Sequence, residues 1–304
     1  MTFTTRFAPS PTGPLHLGHA YSALLAWDMA QRHGGTFLLR IEDIDRTRAR
    51  PEWEAQIHDD LTWLGLHWPQ PVMRQSDRMD VYADALDALW ARGLLYPCDC
   101  SRRDITEALS APQEGALPTG PDGLIYPGTC RSKNRFRYSA SIERPRDRTL
   151  RLTVDRAVSS LAAPQPDGQI RLGFAETGTG PAGQGGEIAL FAAEIARNIG
   201  DIVLARRDMG TSYHLSVVLD DAAQGITDVV RGQDLFETTE IHVVLQSLLK
   251  LPTPRYHHHE LIRDDAGKRL AKRDDARALT KYRAEGATPQ DIRRMVNLPL
   301  ITAA

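Results

Sequence analysis

Residues 6–19 read RFAPSPTGPLHLGH, and the rest of the chain is arranged around this stretch. The run from Thr2 to Ala8 has strand character, while Pro9, Pro11, Gly13 and Pro14 forbid regular structure. From Leu17 onward apolar residues recur at helical spacing through Leu24, Leu25 and Ala26. The stretch is therefore a strand, a loop and a helix opening, with His16 and His19 flanking the helix N-terminus. That end carries amide donors without intrahelical partners and a partial positive charge, so it suits an anion such as a polyphosphate. Gly18 leaves no side chain where a flat ring would approach. Taken alone, two histidines near a helix start read as solvated caps, and the whole block has to be weighed.

Working outward, Thr36–Ile41 (TFLLRI) is a short apolar strand followed at once by Glu42, Asp43 and Asp45. Carboxylates just past a strand's C-terminal end stand where open α/β sheets bind ligands. Apolar spacing predicts helices over Pro51–Leu64 and Tyr82–Leu95. Alternation resumes with IVLA near Asp201, an amphipathic segment over Ser212–Ala223, the strand ITDVVRG and a helix over Thr238–Leu249. Strand-helix-strand order means parallel strands joined by right-handed crossovers. On local grounds Tyr213 is a half-buried helix residue and Arg231 a strand-end surface charge. The run His257-His258-His259 on a strand sends alternate rings to opposite faces, which suits solvated or packing histidines better than a metal site.

The 304 residues give room for a full core and two packed units. Hydrophobic content of 41% and charge of 25% are those of a soluble globular protein. No apolar run is long enough to span a bilayer, so a cytoplasmic protein with no membrane partner is expected. Three cysteines argue against a disulfide framework. Cys98 and Cys100 in C-x-C, with Cys130 beyond a loop, supply most of a tetrahedral zinc site, and from the cysteines alone zinc and no metal both stay open. One position of the tetrahedron is left for another donor. Net charge is -2, yet Arg131–Arg156 holds nine Lys or Arg against three acids. Such a run is an RNA-binding face or an ordinary solvated one. Residues 168–186 contain G-T-G-P-A-G, with Asp201 at the distance a dinucleotide fingerprint would want, but Pro181 interrupts it; a surface loop is the expectation.

RFAPSPTGPLHLGH resembles the ATP-binding signature of class I aminoacyl-tRNA synthetases in the form used by the glutamyl group. Asp265–Arg273 (DAGKRLAKR) resembles the second, lysine-rich signature of that class, with Arg269, Ala271 and Arg273 departing from the commonest residues. IEDIDRTR and RRDMGTSYHLSVVLDDAAQGITDVVRGQDL resemble further blocks of the same group, so the likeness covers nearly the whole chain. It implies an α/β fold: a Rossmann-like parallel-sheet core with an inserted zinc-containing subdomain and a small C-terminal helical segment. Residues 1–96 and 196–250 would form the two halves of the core, 97–195 the insertion, and 251–304 the segment with the lysine loop. It further implies that His16, Gly18, His19 and Lys272 bind ATP with its Mg2+, with His16, His19 and Lys272 catalytic. Arg6, Ser10, Glu42, Tyr213 and Arg231 would bind L-glutamate, Glu42 taking its amino group. Cys98, Cys100, Tyr126 and Cys130 would hold a structural Zn2+.

The implied reaction is glutamate activation to glutamyl-adenylate without tRNA, then transfer of the glutamyl group to an RNA hydroxyl. Only about thirty residues follow the lysine loop, too few for an anticodon-binding domain. Together with C-x-C and Y-x-x-x-C, this resembles the branch that glutamylates queuosine at the wobble position of tRNA(Asp). A monomer is expected. A truncated enzyme charging the tRNA acceptor end and a non-catalytic RNA-binding paralogue are the alternatives.

Overall fold

The structure is a computed structural model and describes residues 2–110, 117–134, 143–161, 171–262 and 277–300. The chain opens with β1 (Thr4–Phe7), α1 (Leu17–Arg32) and β2 (Thr36–Ile41), with β1 and β2 parallel from Thr4↔Thr36 to Phe7↔Leu39. Next come α2 (Pro51–Trp63) and β3 (Met73–Arg74), the latter parallel to β2. Pro51 presets the first turn of α2, and Glu52 and Glu54 there complement the helix dipole. The following helix, α3, spans Met79–Ala91 instead of Tyr82–Leu95. Gly93, at φ +64, ends it, and Leu95 starts β4 (Leu95–Cys98).

The middle of the chain contains α4 (Arg102–Ser110), the hairpin β5 (Thr119–Gly120) and β6 (Gly123–Leu124), α5 (Thr129–Asn134), β7 (Thr149–Leu152) and α6 (Val154–Ser159). Then follow β8 (Arg171–Glu176), β9 (Gly186–Phe191), α7 (Ala192–Ile199) and β10 (Val203–Ala205). Strands β4, β7 and β10 form a small antiparallel sheet in the order β10-β7-β4. The expected surface loop at 168–186 is thus partly a strand, since β8 and β9 pair antiparallel and β8 joins the main sheet through Tyr256↔Glu176.

The chain returns with α8 (Tyr213–Ala223), β11 (Asp228–Gly232), α9 (Thr238–Leu249) and β12 (Arg255–His259), and β11 and β12 are parallel. Beside β1, the Thr227 amide donates to the Thr4 carbonyl at 2.9 Å, and the Thr4 amide to Thr227 Oγ1 at 2.8 Å. The strands therefore run β3-β2-β1-β11-β12-β8-β9. Chain order reverses between β1 and β11, which leaves a crevice at their C-terminal ends. One core lies under β1 and β2, where Leu24, Leu39, Ile41 and Ile57 meet Leu279 of α10 (Leu279–Ala284) and Ile292 of α11 (Pro289–Met295). A second joins Leu86, Leu150, Leu204, Leu215, Ile241 and Tyr256. No helix among the described residues is long and apolar enough to cross a membrane.

Candidate active site

A cavity of about 480 Å3 fills the crevice. Arg6, Ser10, Glu42, Tyr213 and Arg231 wall one part of it, and His16, Gly18, His19, Ser22 and His259 another. Every residue expected to bind glutamate or ATP is thus at one cavity, except Lys272, which lies outside the described residues. So do Arg269, Ala271 and Arg273. The described chain on either side of them does reach the site: Leu261 and Ile262 line the cavity, and Ala278 bridges to His16.

The two signature histidines are helix caps, half as their local reading suggests. His16 Nδ1 accepts from the Gly18 amide at 3.1 Å, and His19 Nδ1 accepts from the His16 amide at 3.2 Å, closing a capping box on α1. His16 is buried and His19 half-buried, and the two rings lie 3.8 Å apart. Because each Nδ1 accepts, each ring carries its proton on Nε2, the tautomer that can donate to an anion.

Behind the cavity lies a buried ion network. Arg6 grips Asp221 with two hydrogen bonds of 3.0 and 3.2 Å, and Arg40 donates to Asp221 at 2.7 Å and to Glu42 at 3.1 Å. Asp220 takes Arg78, Gln75 and Tyr82. Burial alone would raise the Asp221 pKa, but Arg6 and Arg40 outweigh it and hold the carboxyl below its ordinary range. For Glu42 the balance is reversed, and burial pushes the carboxyl up against the pull of Arg40 and Arg6. Arg6, expected to bind glutamate, already shares its charge with Asp221.

Arg231 differs. It is buried, not a surface charge, and among the described residues it forms no ion pair. Its Nε donates to His258 Nε2 at 3.1 Å, one Nη to His242 Nδ1 at 3.2 Å, and the other Nη to Thr239 Oγ1 at 2.7 Å and the Leu235 carbonyl at 3.1 Å. All four acceptors are neutral. His258 passes its own Nδ1 proton toward Glu176 Oε2 at 2.5 Å; His242 leads to His214 at 3.4 Å, which meets Asp122 at 3.3 Å. Burial keeps His242 and His258 below their ordinary pKa, helped by the neighbouring Arg231, even though Glu176 pulls His258 the other way. Sequence reasoning overlooked Arg40, Asp221 and Glu176, and read His258 only as a solvated or packing ring, of which the buried, packed one is what the structure shows. Arg40 had left a signal, a lone charge inside the apolar run TFLLRI.

The three cysteines meet away from this cavity, their sulfurs all within 4.8 Å of one another. Tyr126 Oη lies 3.4 Å from Cys98 Sγ and 3.3 Å from Cys100 Sγ, and Cys100 and Cys130 sulfurs are 3.5 Å apart. Donors about 2.0–2.3 Å from a tetrahedral zinc stand about 3.3–3.8 Å from each other, so this set fits the ion. The Cys130 amide donates to Tyr126 Oη at 2.8 Å and Arg151 covers the ring at 3.9 Å, while burial and the three thiols push the phenol's pKa up against the pull of that amide. The basic run is less of a face than its composition implies. Arg131 pairs with Asp155 and Asp201, Arg144 and Arg146 with Asp87, and Arg148 with Asp99. Arg135 and Arg137 lie outside the described residues.

Two glycines of the tract after β8 serve packing. A Cβ on Gly178 would stand 2.2 Å from the His258 carbonyl oxygen, and one on Gly180 would strike the Phe236 ring at 2.8 Å. These glycines let the loop after β8 close on β12, which accounts for them without a dinucleotide.

A doubly wound sheet with its polar cavity at the switch point and a histidine-capped helix beside it agrees with comparison to known proteins. The sequence model of the family described as tRNA synthetases class I (E and Q), catalytic domain, matches residues 2–303. The chain is thus a catalytic domain of that class. A glutamyl-Q tRNA(Asp) synthetase of Rhodobacter capsulatus is 63% identical over 97% of this chain and 99% of its own length. Another, of Symbiobacterium thermophilum, is 41% identical over 94% of this chain and 83% of its own. Within its class, the chain belongs to the glutamyl-Q tRNA(Asp) synthetase family. A glutamate tRNA ligase of Elizabethkingia meningosepticum, solved in complex with its amino acid, has the same fold at 22% identity, with a TM-score of 0.69. The match covers 97% of this chain and 60% of that ligase.

Proposed function

We propose that the chain activates L-glutamate with ATP to glutamyl-adenylate, without tRNA, and then transfers the glutamyl group to queuosine in the anticodon of tRNA(Asp). The observation that carries this reading is the single cavity joining Arg6, Ser10, Glu42, Tyr213 and Arg231 to the capped end of α1. Arg231, held only by neutral groups, offers its charge to a carboxylate of glutamate, and Glu42 offers its own to the ammonium. The carboxylate of the bound amino acid attacks the α-phosphorus of ATP, and pyrophosphate leaves. No side chain becomes a covalent nucleophile; the protein aligns the reactants and stabilises developing phosphate charge through His16, His19 and the α1 N-terminus. Magnesium bound with ATP would supply neutralisation of part of the phosphate charge, alongside these groups. Lys272 is assigned to the phosphates because the described chain on both sides of its loop, Ile262 and Ala278, lies at the site. A queuosine hydroxyl then attacks the activated carbonyl, releasing AMP and forming an ester.

Zinc held by Cys98, Cys100, Tyr126 and Cys130 has a structural role in this reading, since four protein donors leave no open position. The chain acts as a monomer. The names of the relatives favour queuosine over the tRNA acceptor end. The test is labelled glutamate, ATP and tRNA bearing queuosine, with the 3′-terminal adenosine intact or removed. Labelling that survives the trimming, and that requires queuosine, is expected. Labelling abolished by the trimming would leave an enzyme that charges the acceptor end.

A further inference from the structure

We propose that Glu176 and His258 are positioning residues for glutamate: Glu176 fixes the tautomer of His258, and His258 in turn holds the Arg231 guanidinium at the cavity wall. The inference rests on the reading of Arg231 as a glutamate contact.

The argument starts from donor counting. A guanidinium has five N–H donors and no acceptor, so every atom that touches it must accept. Four donors of Arg231 are used within the protein, on His258, His242, Thr239 and the Leu235 carbonyl. One N–H is left, on the Nη that also serves His242. For His258 to accept at Nε2 its proton must sit on Nδ1, and Glu176 Oε2, 2.5 Å from Nδ1, takes that proton's hydrogen bond. The Glu176 carboxylate is itself fixed, because Oε1 accepts from the Gly178 amide at 2.7 Å and from the His258 amide at 2.9 Å. His242 is oriented in the same sense through His214 and Asp122.

Hydrogen bonds thus radiate outward from Arg231 and end on a carboxylate in both directions, with imidazoles interposed. The carboxylates lower the potential around the buried cation without touching it. A carboxylate entering the cavity is then the first anion to meet Arg231 directly. Arg6 stands in contrast, since Asp221 already holds it by two bonds.

A plain structural role, stapling β8 to β12, is the competing account, and Glu176→Gln separates the two. The glutamine carbonyl can keep both backbone amides, so the staple survives. Its NH2 then faces His258 Nδ1, which drives the ring proton to Nε2 and sets a donor against the Arg231 Nε–H. In glutamate-dependent ATP-pyrophosphate exchange, the KM for glutamate should rise about tenfold, the factor for losing one charge-assisted hydrogen bond, while the KM for ATP stays put. Nitrogen-15 NMR of the imidazoles should show the His258 proton moving from Nδ1 to Nε2. Adding His258→Gln to Glu176→Gln restores an acceptor near Nε2 and should recover most of the lost affinity. Active wild type with an unchanged glutamate KM in Glu176→Gln, or an unchanged His258 tautomer, would overturn the inference alone. Wild type that exchanges with no dependence on glutamate would instead overturn the function on which it rests.

Discussion

Asp221 accepts from two arginines at once, and with Glu42 and Gln224 it lets Arg40 tolerate complete burial under the cavity. Replacing it with Asn leaves two guanidiniums facing one neutral oxygen, and breaking a buried pair in this way costs about 3 kcal/mol. Asp221→Asn should show this as a lower urea midpoint with unchanged slope. The same carboxylate makes stability depend on pH. Its folded pKa lies below the unfolded one, so its contribution is complete above the ordinary aspartate range and is lost as pH falls through the depressed value. Between neutrality and about pH 5 this group should leave stability flat, and below about pH 4 the wild type should lose stability that Asp221→Asn does not. At this scale the lining of the cavity was legible at the positions the motifs single out, Arg6, Glu42, Tyr213 and Arg231. Asp221, Glu176 and the bonding of His258 were not legible, because their partners lie far away in sequence and no local pattern marks a buried carboxylate.

Among the elements, β8 and β9 escaped the reading because glycines at 173, 178, 180, 183, 185 and 186 mimic a loop. Strands β4, β7 and β10 have three or four residues each, too few to display a period. By contrast α1, α2, α8 and α9 are long enough for their apolar spacing to show. The glycines are now testable in their own terms. Gly178→Ala places a methyl against the His258 carbonyl, which is backbone and has nowhere to go. It should cost about 2 kcal/mol and, by pushing β8 from β12, raise the glutamate KM. A thermal melt and pyrophosphate exchange measure the two effects. The cysteine cluster ties the end of β4 to α5, so elemental analysis should find one zinc per chain. Cys130→Ser should lose the ion, and Tyr126→Phe, which keeps three thiolates, should hold it more weakly. Metal-free wild type purified without chelator would remove the site.

For the whole molecule, charge is spent inward. The arginines of the basic run that the structure describes are mostly tied to Asp87, Asp99, Asp155 and Asp201, which is why composition overstated that face. Arg206 and Arg207 are exposed beside the cysteine cluster and, among the described residues, form no ion pair. Arg207→Ala should therefore lower the salt slope of tRNA binding by about one, and Arg144→Ala should leave that slope alone while reducing stability. In the lysine loop, Lys272→Ala should slow pyrophosphate exchange by about 3 kcal/mol of barrier with the fold intact. An unchanged rate would transfer the role to Arg269 or Arg273.

The bridge between His16 and Ala278 bears on how the protein comes off the ribosome. Residues at the head of the chain acquire their partners near its tail: Thr4 binds Thr227, Arg6 binds Asp221, and Asp28 holds Arg293 with bonds of 2.6 and 2.8 Å across 265 positions. For most of synthesis residues 6–19 have only near neighbours to steady them, the capping box on α1 and the pairing of β1 with β2, because the long closures are slow to form. Translation must run past Ala278 before the proposed nucleotide site closes, so a chain arrested before that point on the ribosome should consume no ATP.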